Sequence, residues 1–396
     1  MLCWWAGGKN ERSKLLHWSP HMSASTISRS VLHLALELSA TSWVIAYRLP
    51  WSDKIRLQRV SAGDSAALLT LVSDLREKAA ARMGADVTLA SCFEAGRDGF
   101  WLHRLLTANG VINHVVEPTS ILVTRGARRA KTDRLDAQGL LRVLAAAFAG
   151  DREICRMVRT PSVAEEDDKR PHREREYLVQ ERVRIENRIA ALLATQGVPK
   201  RPSLRTWASD LDALRTGDGR PLPPHLKAEL DRLRRRLLMT IEMIREVEEA
   251  REQAMEAQDN PANETVKALC KLRGLGDNFS AVLAKEVFYR TFDNRRQIAA
   301  YLGLAPTPFQ SGGMDRDRRI NRAGNSRARK TMVQLAWLWL RYQPESGLAQ
   351  WFRGRVGELQ GRTRRIAIVA MARKLLIAIW RFITVGVVPG GAILTA

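Results

Sequence analysis

Between residues 30 and 150, short apolar runs and helical periods follow one another in a fixed order, and that order limits the fold more than any other feature of the chain. VLHLALEL (31–38) reads as a strand, SATSWVIAYRL (39–49) as a turn into a second, and KIRLQRV (54–60), which alternates, as a third. DSAALLTLVSDLREKAAARMG (64–84) carries the helical period and ends on Gly84. DVTLASCFEAG (86–96) is a buried strand running into a turn. RDGFWLHRLLTANG (97–110) is a helix closed by Gly110, and VINHVVEP (111–118) is a strand stopped by Pro118. A helix from Thr132 completes the order β-β-β-α-β-α-β-α.

Three strands in hairpin succession, then crossover units, predict a mixed sheet with an antiparallel edge, the layout of the ribonuclease-H-like fold. In open sheets of this type chemistry collects at strand ends. The acids there are Glu37 after the first strand, Glu94 after the fourth, and the pair Asp133 and Asp136 on the last helix. A spacing of three sets that pair on one helix face. Taken alone, the pair reads as an acidic first turn capped by Thr132 or Asp133. Taken together, three elements supply four carboxylates, the donor set that holds Mg²⁺ for phosphoryl chemistry.

Residues 151–262 change character. REREYLVQERVRIENRIAALLATQG (173–197) and the run 226–257 are long charged helical patterns, with a narrow stripe at Leu178, Val183, Ile185, Ile189 and Leu192. They predict a helical hairpin or coiled coil around a Pro- and Gly-rich connection. DNPANETV (259–266) reads as a linker and cap. LCKLRGLGDNFSAVLAKEV (269–287) then resembles a helix-hairpin-helix, whose turn amides can approach a phosphate.

Ser311 precedes two glycines in a segment too rich in Gly and Pro for a helix. Arg316, Arg318, Arg319, Arg322, Arg327, Arg329 and Lys330 follow it. Taken alone, Ser311 is an ordinary loop serine; beside so many cations it is also a candidate nucleophile toward a phosphate. Ser326 reads as a cap or phosphate contact opening the next helix. IAIVAMARKLLIAIWRFITVGVV is interrupted by Arg373, Lys374 and Arg381, so it is expected as a buried amphipathic helix rather than a membrane span.

Lys and Arg number 64 against 42 Asp and Glu, a formal net charge of +22 over 396 residues. This excess favours a polyanionic partner, with DNA or RNA first. The four cysteines (Cys3, Cys92, Cys155 and Cys270) are scattered and form no zinc-type pair, which fits a reducing cytoplasm. The opening residues lack the apolar core of a signal peptide. Residues 1–29 are expected to be a disordered extension, 30–150 the acidic α/β domain, 151–262 the coiled-coil region, and 263–396 a mainly helical C-terminal domain.

Several motifs, in order and spacing, resemble the DEDD-type insertion-sequence transposases, the bridge-RNA-guided serine recombinases. They are FEAG (93–96), KTDRLDA (131–137), NRI (187–189), the L-x-G-L-G turn, AYLGLAP (300–306), QSGG (310–313), RAGNSRARK (322–330) and AIVAMARKLLIAIW (367–380). The resemblance covers about residues 30 to 385. It implies a RuvC-like N-terminal domain whose acids Glu94, Asp133 and Asp136 bind Mg²⁺, and a C-terminal transposase domain with Ser311 as nucleophile. The first acid of the family pattern is Asp in G-x-D-x-S; here LALELSATSW places Glu37 there, without the glycine.

The resemblance also implies a phosphoserine intermediate, donor and target DNA, a noncoding guide RNA, and a homo-oligomer between dimer and tetramer. Arg128, Arg129, Lys131 and Arg134 would then hold nucleic-acid backbone beside the acids. Arg316, Arg318, Arg319, Arg322, Arg327 and Lys330 would do so beside the serine. The expected location is the bacterial cytoplasm, at the nucleoid during action. Two rival readings are a RuvC-type Mg²⁺ nuclease in which Ser311 plays no part, and a nucleic-acid-binding copy disabled at Glu37.

Overall fold

The first sheet is built by alternation. In β1 (Val31–Leu38) the large side chains Leu32, Leu34 and Leu36 point to one face, while Val31 and Ala35 point to the other. A computed structural model describes residues 31–96, 99–121, 132–151, 153–257, 260–311, 314–320, 322–357 and 361–395. The expected N-terminal extension lies outside them. The chain divides into two compact units, Met1–Thr160 and Pro161–Ala396.

In the first unit β1 pairs antiparallel with β2 (Ser42–Arg48), and β2 with β3 (Arg56–Ser61). The helix α1 (Ser65–Met83) is capped by the Asp64 carboxylate, which accepts from the Ala67 amide at 2.9 Å, and stops at Gly84 in the left-handed region. Next come β4 (Thr88–Glu94), α2 (Trp101–Ala108), β5 (Ile112–Val116) and α3 (Asp133–Phe148). β4 lies parallel to both β1 and β5, giving the sheet order β3-β2-β1-β4-β5. Both faces are covered, which explains the near-continuous apolar runs. Leu32, Leu34, Leu36, Ile45 and Phe93 pack under α1 and α2, and each such side chain contributes about 1.5–3 kcal/mol on burial. On the other face Ala35, Ala46, Ala90 and Cys92 are small, and α3 lies down on them through Ala137, Leu140, Leu141 and Leu144.

The second unit begins with α4 (Val163–Asp167), held by a capping box between Ser162 and Glu165. The helices α5 (Arg170–Ala194) and α7 (Pro224–Ala257) run antiparallel, flanking α6 (Trp207–Ala213). Their direction follows from the pairs Arg188–Glu229, Glu181–Arg236 and Arg175–Glu248. The buried stripe is Leu178, Ile185, Ile189 and Leu193 on α5 against Leu230, Leu237 and Ile244 on α7, the latter at heptad spacing. Val183, expected in the stripe, is instead 41% exposed: it is two residues from Ile185, which turns it off the seam. The expected Leu192 is only partly buried, and Leu193 takes the fully buried place.

The remaining elements are α8 (Pro261–Cys270), α9 (Asp277–Leu283) with a π-helical turn over Ala284–Phe288, α10 (Arg295–Tyr301), β6 (Pro306–Ser311), β7 (Met314–Ile320), α11 (Ser326–Tyr342), α12 (Gly347–Val356) and α13 (Arg362–Val385). The two helices and glycine turn expected near 269–287 are α8 and α9. Gly274 has φ +94° there, and Tyr342 packs so close that a Cβ would lie 2.9 Å from it. α13 buries Ala367, Ile368, Met371, Leu375, Leu376 and Ile379, as its pattern predicts. No helix among the described residues is long and apolar enough to cross a membrane. The β6–β7 hairpin interrupts an otherwise helical region. Its strands carry two prolines and alternating Asp and Arg, so no apolar period announced it.

His33 on β1 gives the first unit an acid sensitivity. Its ring is buried edge-on to Phe148 at 5.6 Å, and neither ring nitrogen has a hydrogen-bond partner among the described residues. Burial first, and the Arg48 charge second, lower its pKa from 6.5 to about 4. The unfolded chain therefore takes up the proton first, and stability falls as pH drops from 6.5 toward 4. At pH 5 the expected loss is about 2 kcal/mol relative to pH 7. Urea unfolding of the His33→Leu variant at both pH values should lack this share; equal acid sensitivity in variant and parent would contradict it.

Candidate active site: an acidic strand end and a serine hairpin

The parallel register of β1 and β4 runs to Leu36 opposite Phe93, so the next residues on each strand are Glu37 and Glu94. Both follow the parity of Ala35 and Cys92 and belong to the face that α3 covers. They sit at the carboxyl ends of adjacent strands, both half-buried, on a cleft of about 310 Å³ between residues 36–40 and 94–96. Two local devices shape it. Ser39 donates its hydroxyl to the Ser42 carbonyl at 2.6 Å, tightening the β1–β2 turn. The Ala95 amide donates to the Val116 carbonyl at 2.8 Å, holding the end of β4 to β5.

α3 points its start toward that end. Phe148, at its last turn, packs on His33 and on His114 at 5.7 Å, while the Cys92 thiol donates to the Leu140 carbonyl at 3.6 Å. The helix thus runs antiparallel to β1. Asp133 and Asp136 extend its buried stripe (Ala137, Leu140, Leu144) beyond the sheet's last apolar row. Thr132 caps the helix, its hydroxyl oxygen accepting from the Leu135 amide at 3.3 Å. Asp133 is exposed and Asp136 half-buried. Burial, then Cys155, then the charge of Glu94 push the Cys92 thiol up, which makes it a packing residue rather than a nucleophile.

Among the described residues no three His, Cys, Asp or Glu side chains stand together as a group that could hold a metal ion. Glu37 and Glu94 are nevertheless hard oxygen donors on neighbouring strands at one level. Mg²⁺ commonly needs only one or two carboxylates, completed by water and phosphate oxygens, so the donor chemistry fits that ion.

In the second unit Ser311 ends β6, paired with Met314 across the turn. Arg316, Arg318 and Arg319 belong to β7, with Arg316 opposite Phe309. The hairpin's two feet are tied to each other. The Arg322 amide donates to the Gly303 carbonyl at 3.2 Å and the Asn325 amide to the Tyr301 carbonyl at 2.8 Å. The Arg329 guanidinium donates to the Leu302 carbonyl at 2.9 Å. Arg322 is exposed, with φ +60°.

Other expected contacts lie elsewhere or are already engaged. Arg128, Arg129 and Lys131 fall outside the described residues, and Arg134 is exposed on α3. Arg327 pairs with Glu176 and Glu286, and Lys330 lies 2.8 Å from Glu176. The cap of α11 is Asn325, not Ser326: its side-chain oxygen accepts from the Ala328 amide at 3.0 Å. A cluster that sequence reasoning missed surrounds Glu286, which receives His172, Arg173, Asn325 and Arg327. Its one signal was a charged pair, Lys285 and Glu286, inside the apolar run AVLAKEVF.

A family model described as Transposase IS116/IS110/IS902 family matches residues 266–350, the segment that contains the hairpin and both its feet. The chain belongs to this transposase family and is an enzyme of DNA transposition. Among its relatives, the putative transposase y4rJ of Sinorhizobium fredii is 44% identical over 94% of this chain and 96% of its own length. The transposase for insertion sequence element IS1111A of Coxiella burnetii is 26% identical over 75% of this chain and 77% of its own length. That for IS1328 of Yersinia enterocolitica is 29% identical over 55% and 63%.

The hairpin's feet give a direct mutational expectation. Gly324 has φ +85°, and a Cβ there would lie 2.2 Å from the Tyr301 carbonyl oxygen. Gly324→Ala should cost at least about 2 kcal/mol in urea unfolding. Gly354→Ala, in α12 with open space around it, should be neutral or stabilise by about 0.5–1 kcal/mol. Equal effects at the two sites would show that the feet carry no such constraint.

Proposed function

We propose that the chain is a serine-dependent DNA recombinase of an insertion sequence, with a ribonuclease-H-like acidic domain and a nucleophilic serine on the β6–β7 hairpin. The observation that carries this reading is the placement of Glu37 and Glu94 at one register on adjacent strand ends, with the acidic first turn of α3 at the same end. The strand order β3-β2-β1-β4-β5 supports the fold assignment. Glu37 and Glu94, with Asp133 and Asp136, would hold Mg²⁺, which when bound supplies electrostatic stabilisation of the phosphate undergoing displacement.

In the proposed reaction Ser311 Oγ forms a bond to a DNA phosphorus. The bridging P–O bond to one strand breaks, and that strand's oxygen takes up the serine proton. A hydroxyl of a second strand then attacks the phosphoserine, rejoining DNA and freeing Ser311. Arg316, Arg318, Arg319 and Arg322 lie on or just after the same hairpin and would hold the DNA backbone; Arg134, with Arg128, Arg129 and Lys131, would do so beside the acids. The net charge of +22 suits a chain that holds donor and target DNA together with a guide RNA. The reading includes a homo-oligomer in which the acids of one subunit serve the serine of another, as the resemblance to the DEDD-type transposases implies.

The test uses the chain, the noncoding RNA from its element's flanks, Mg²⁺ and nicked donor and target DNA. A covalent protein–DNA adduct is expected on a denaturing gel. Ser311→Ala should abolish it, and Glu94→Gln should slow it by at least about a hundredfold. Cleaved DNA without an adduct would instead establish a RuvC-type nuclease. Tight binding with neither product, restored by Glu37→Asp, would establish a copy disabled at Glu37.

A further inference from the structure

Glu286 in the second unit carries a carboxylate only 3% exposed. It receives His172 Nε2 at 3.0 Å, the Arg173 guanidinium through two nitrogens at 2.7 and 3.0 Å, Asn325 Nδ2 at 3.1 Å and Arg327 at 3.5 Å. Burial alone would raise its pKa; the hydrogen bonds from His172 and Arg173 hold it well below the carboxylate range. Burial also lowers the His172 pKa, against the pull of the Glu286 hydrogen bond.

A buried ion cluster of this kind is a poor way to gain stability, because desolvation offsets most of the attraction. What it does provide is geometry. Its donors come from the first turn of α5 and from Asn325 and Arg327 at the start of α11. The Glu286 backbone carbonyl accepts from the Tyr301 hydroxyl at 3.0 Å and from Asn325 Nδ2 at 3.5 Å. Tyr301 precedes β6 by a few residues and Asn325 follows β7, so Glu286 touches both feet of the serine hairpin, Tyr301 through its backbone carbonyl alone and Asn325 also through its carboxylate. Two further features mark the place. Glu286 sits on the π-helical turn, a rare geometry that recurs at functional sites, and Arg322 adopts a positive φ beside Asn325.

We propose that Glu286 is a positioning residue of the transposase reaction: its carboxylate, through Asn325 and Arg327, ties the foot after β7 to α5, beside the tie its backbone carbonyl makes to Tyr301, and so fixes where Ser311 is presented. The part concerning Ser311 rests on the function proposed above; the anchoring of the hairpin does not. Glu286 touches no reacting atom. It acts by denying the hairpin freedom, and misplacement of a nucleophile by an ångström is expected to be felt in rate rather than in binding.

The experiment is hydrogen exchange on the full chain, read by mass spectrometry over residues 306–320, in Glu286→Gln and Asn325→Ser. The serine variant keeps a helix cap but cannot reach Glu286, so it remains informative if the glutamine variant does not fold. Exchange of the hairpin should rise at least about tenfold in both variants, with β1 to β5 and α13 unchanged. In the same samples adduct formation at saturating DNA should slow by at least about tenfold while the DNA Kd changes by less than about threefold. Unchanged hairpin exchange in a folded variant overturns the proposal, as does acceleration spread evenly over the second unit, which would mean a structural role alone. Faster hairpin exchange in variants of a chain whose parent forms no adduct would leave the anchoring standing and remove the serine reading instead.

Discussion

The packing of α3 on the small-residue face of the sheet is the contact on which the candidate acidic site depends. Ala35, Ala46, Ala90 and Cys92 let the helix approach closely, and Leu140 and Leu144 fill the space they leave. Because α3 runs antiparallel to β1, its first turn must come to the carboxyl end of the strands, where Glu37 and Glu94 already stand. Apolar packing thus sets the direction of α3, and the polar end of the helix is where the hydrophobic face runs out. A cap at Thr132 sets the helix start at Asp133.

The serine hairpin is organised on a different principle. With prolines and alternating charges its strands carry no regular apolar alternation. Its definition comes from its base. Gly303 and Gly324 allow two backbone segments to meet closer than any Cβ would permit, and Asn325 serves at once as helix cap, backbone donor to Tyr301 and partner of Glu286. The same Glu286 reaches α5, so the long helical hairpin and the serine segment share one anchoring point.

Much of this is legible in the amino-acid sequence. The five strands of the first sheet and the helices between them follow from apolar runs bounded by Asp64, Gly84, Gly110 and Pro118. The two long helices follow from their charge-rich periods. The carboxylates at strand ends were legible by position, since chemistry in such sheets gathers there. Other features left no periodic trace. A charged two-stranded ribbon has no alternation of apolar and polar residues, so β6 and β7 read as loop. The cap fell on Asn325 rather than Ser326 because both residue types cap well and only the backbone path chooses. Val183 was misassigned to the seam because a stripe read two residues out of phase still looks helical. The Glu286 cluster joins residues more than a hundred positions apart, which no local pattern encodes.

Acids and serine belong to separate compact units of the chain, and the proposed reaction has the acids of one subunit serve the serine of another. The most direct test is complementation between two inactive chains, Ser311→Ala and Glu94→Gln, mixed and reassembled with RNA and both DNAs. Mixed oligomers are verified by differential tags. The account predicts that neither variant alone joins strands and that the mixture recovers a substantial fraction of the parent's strand joining, because an intact serine unit meets an intact acidic unit from the other chain. Verified mixed oligomers with no recovered joining would contradict it.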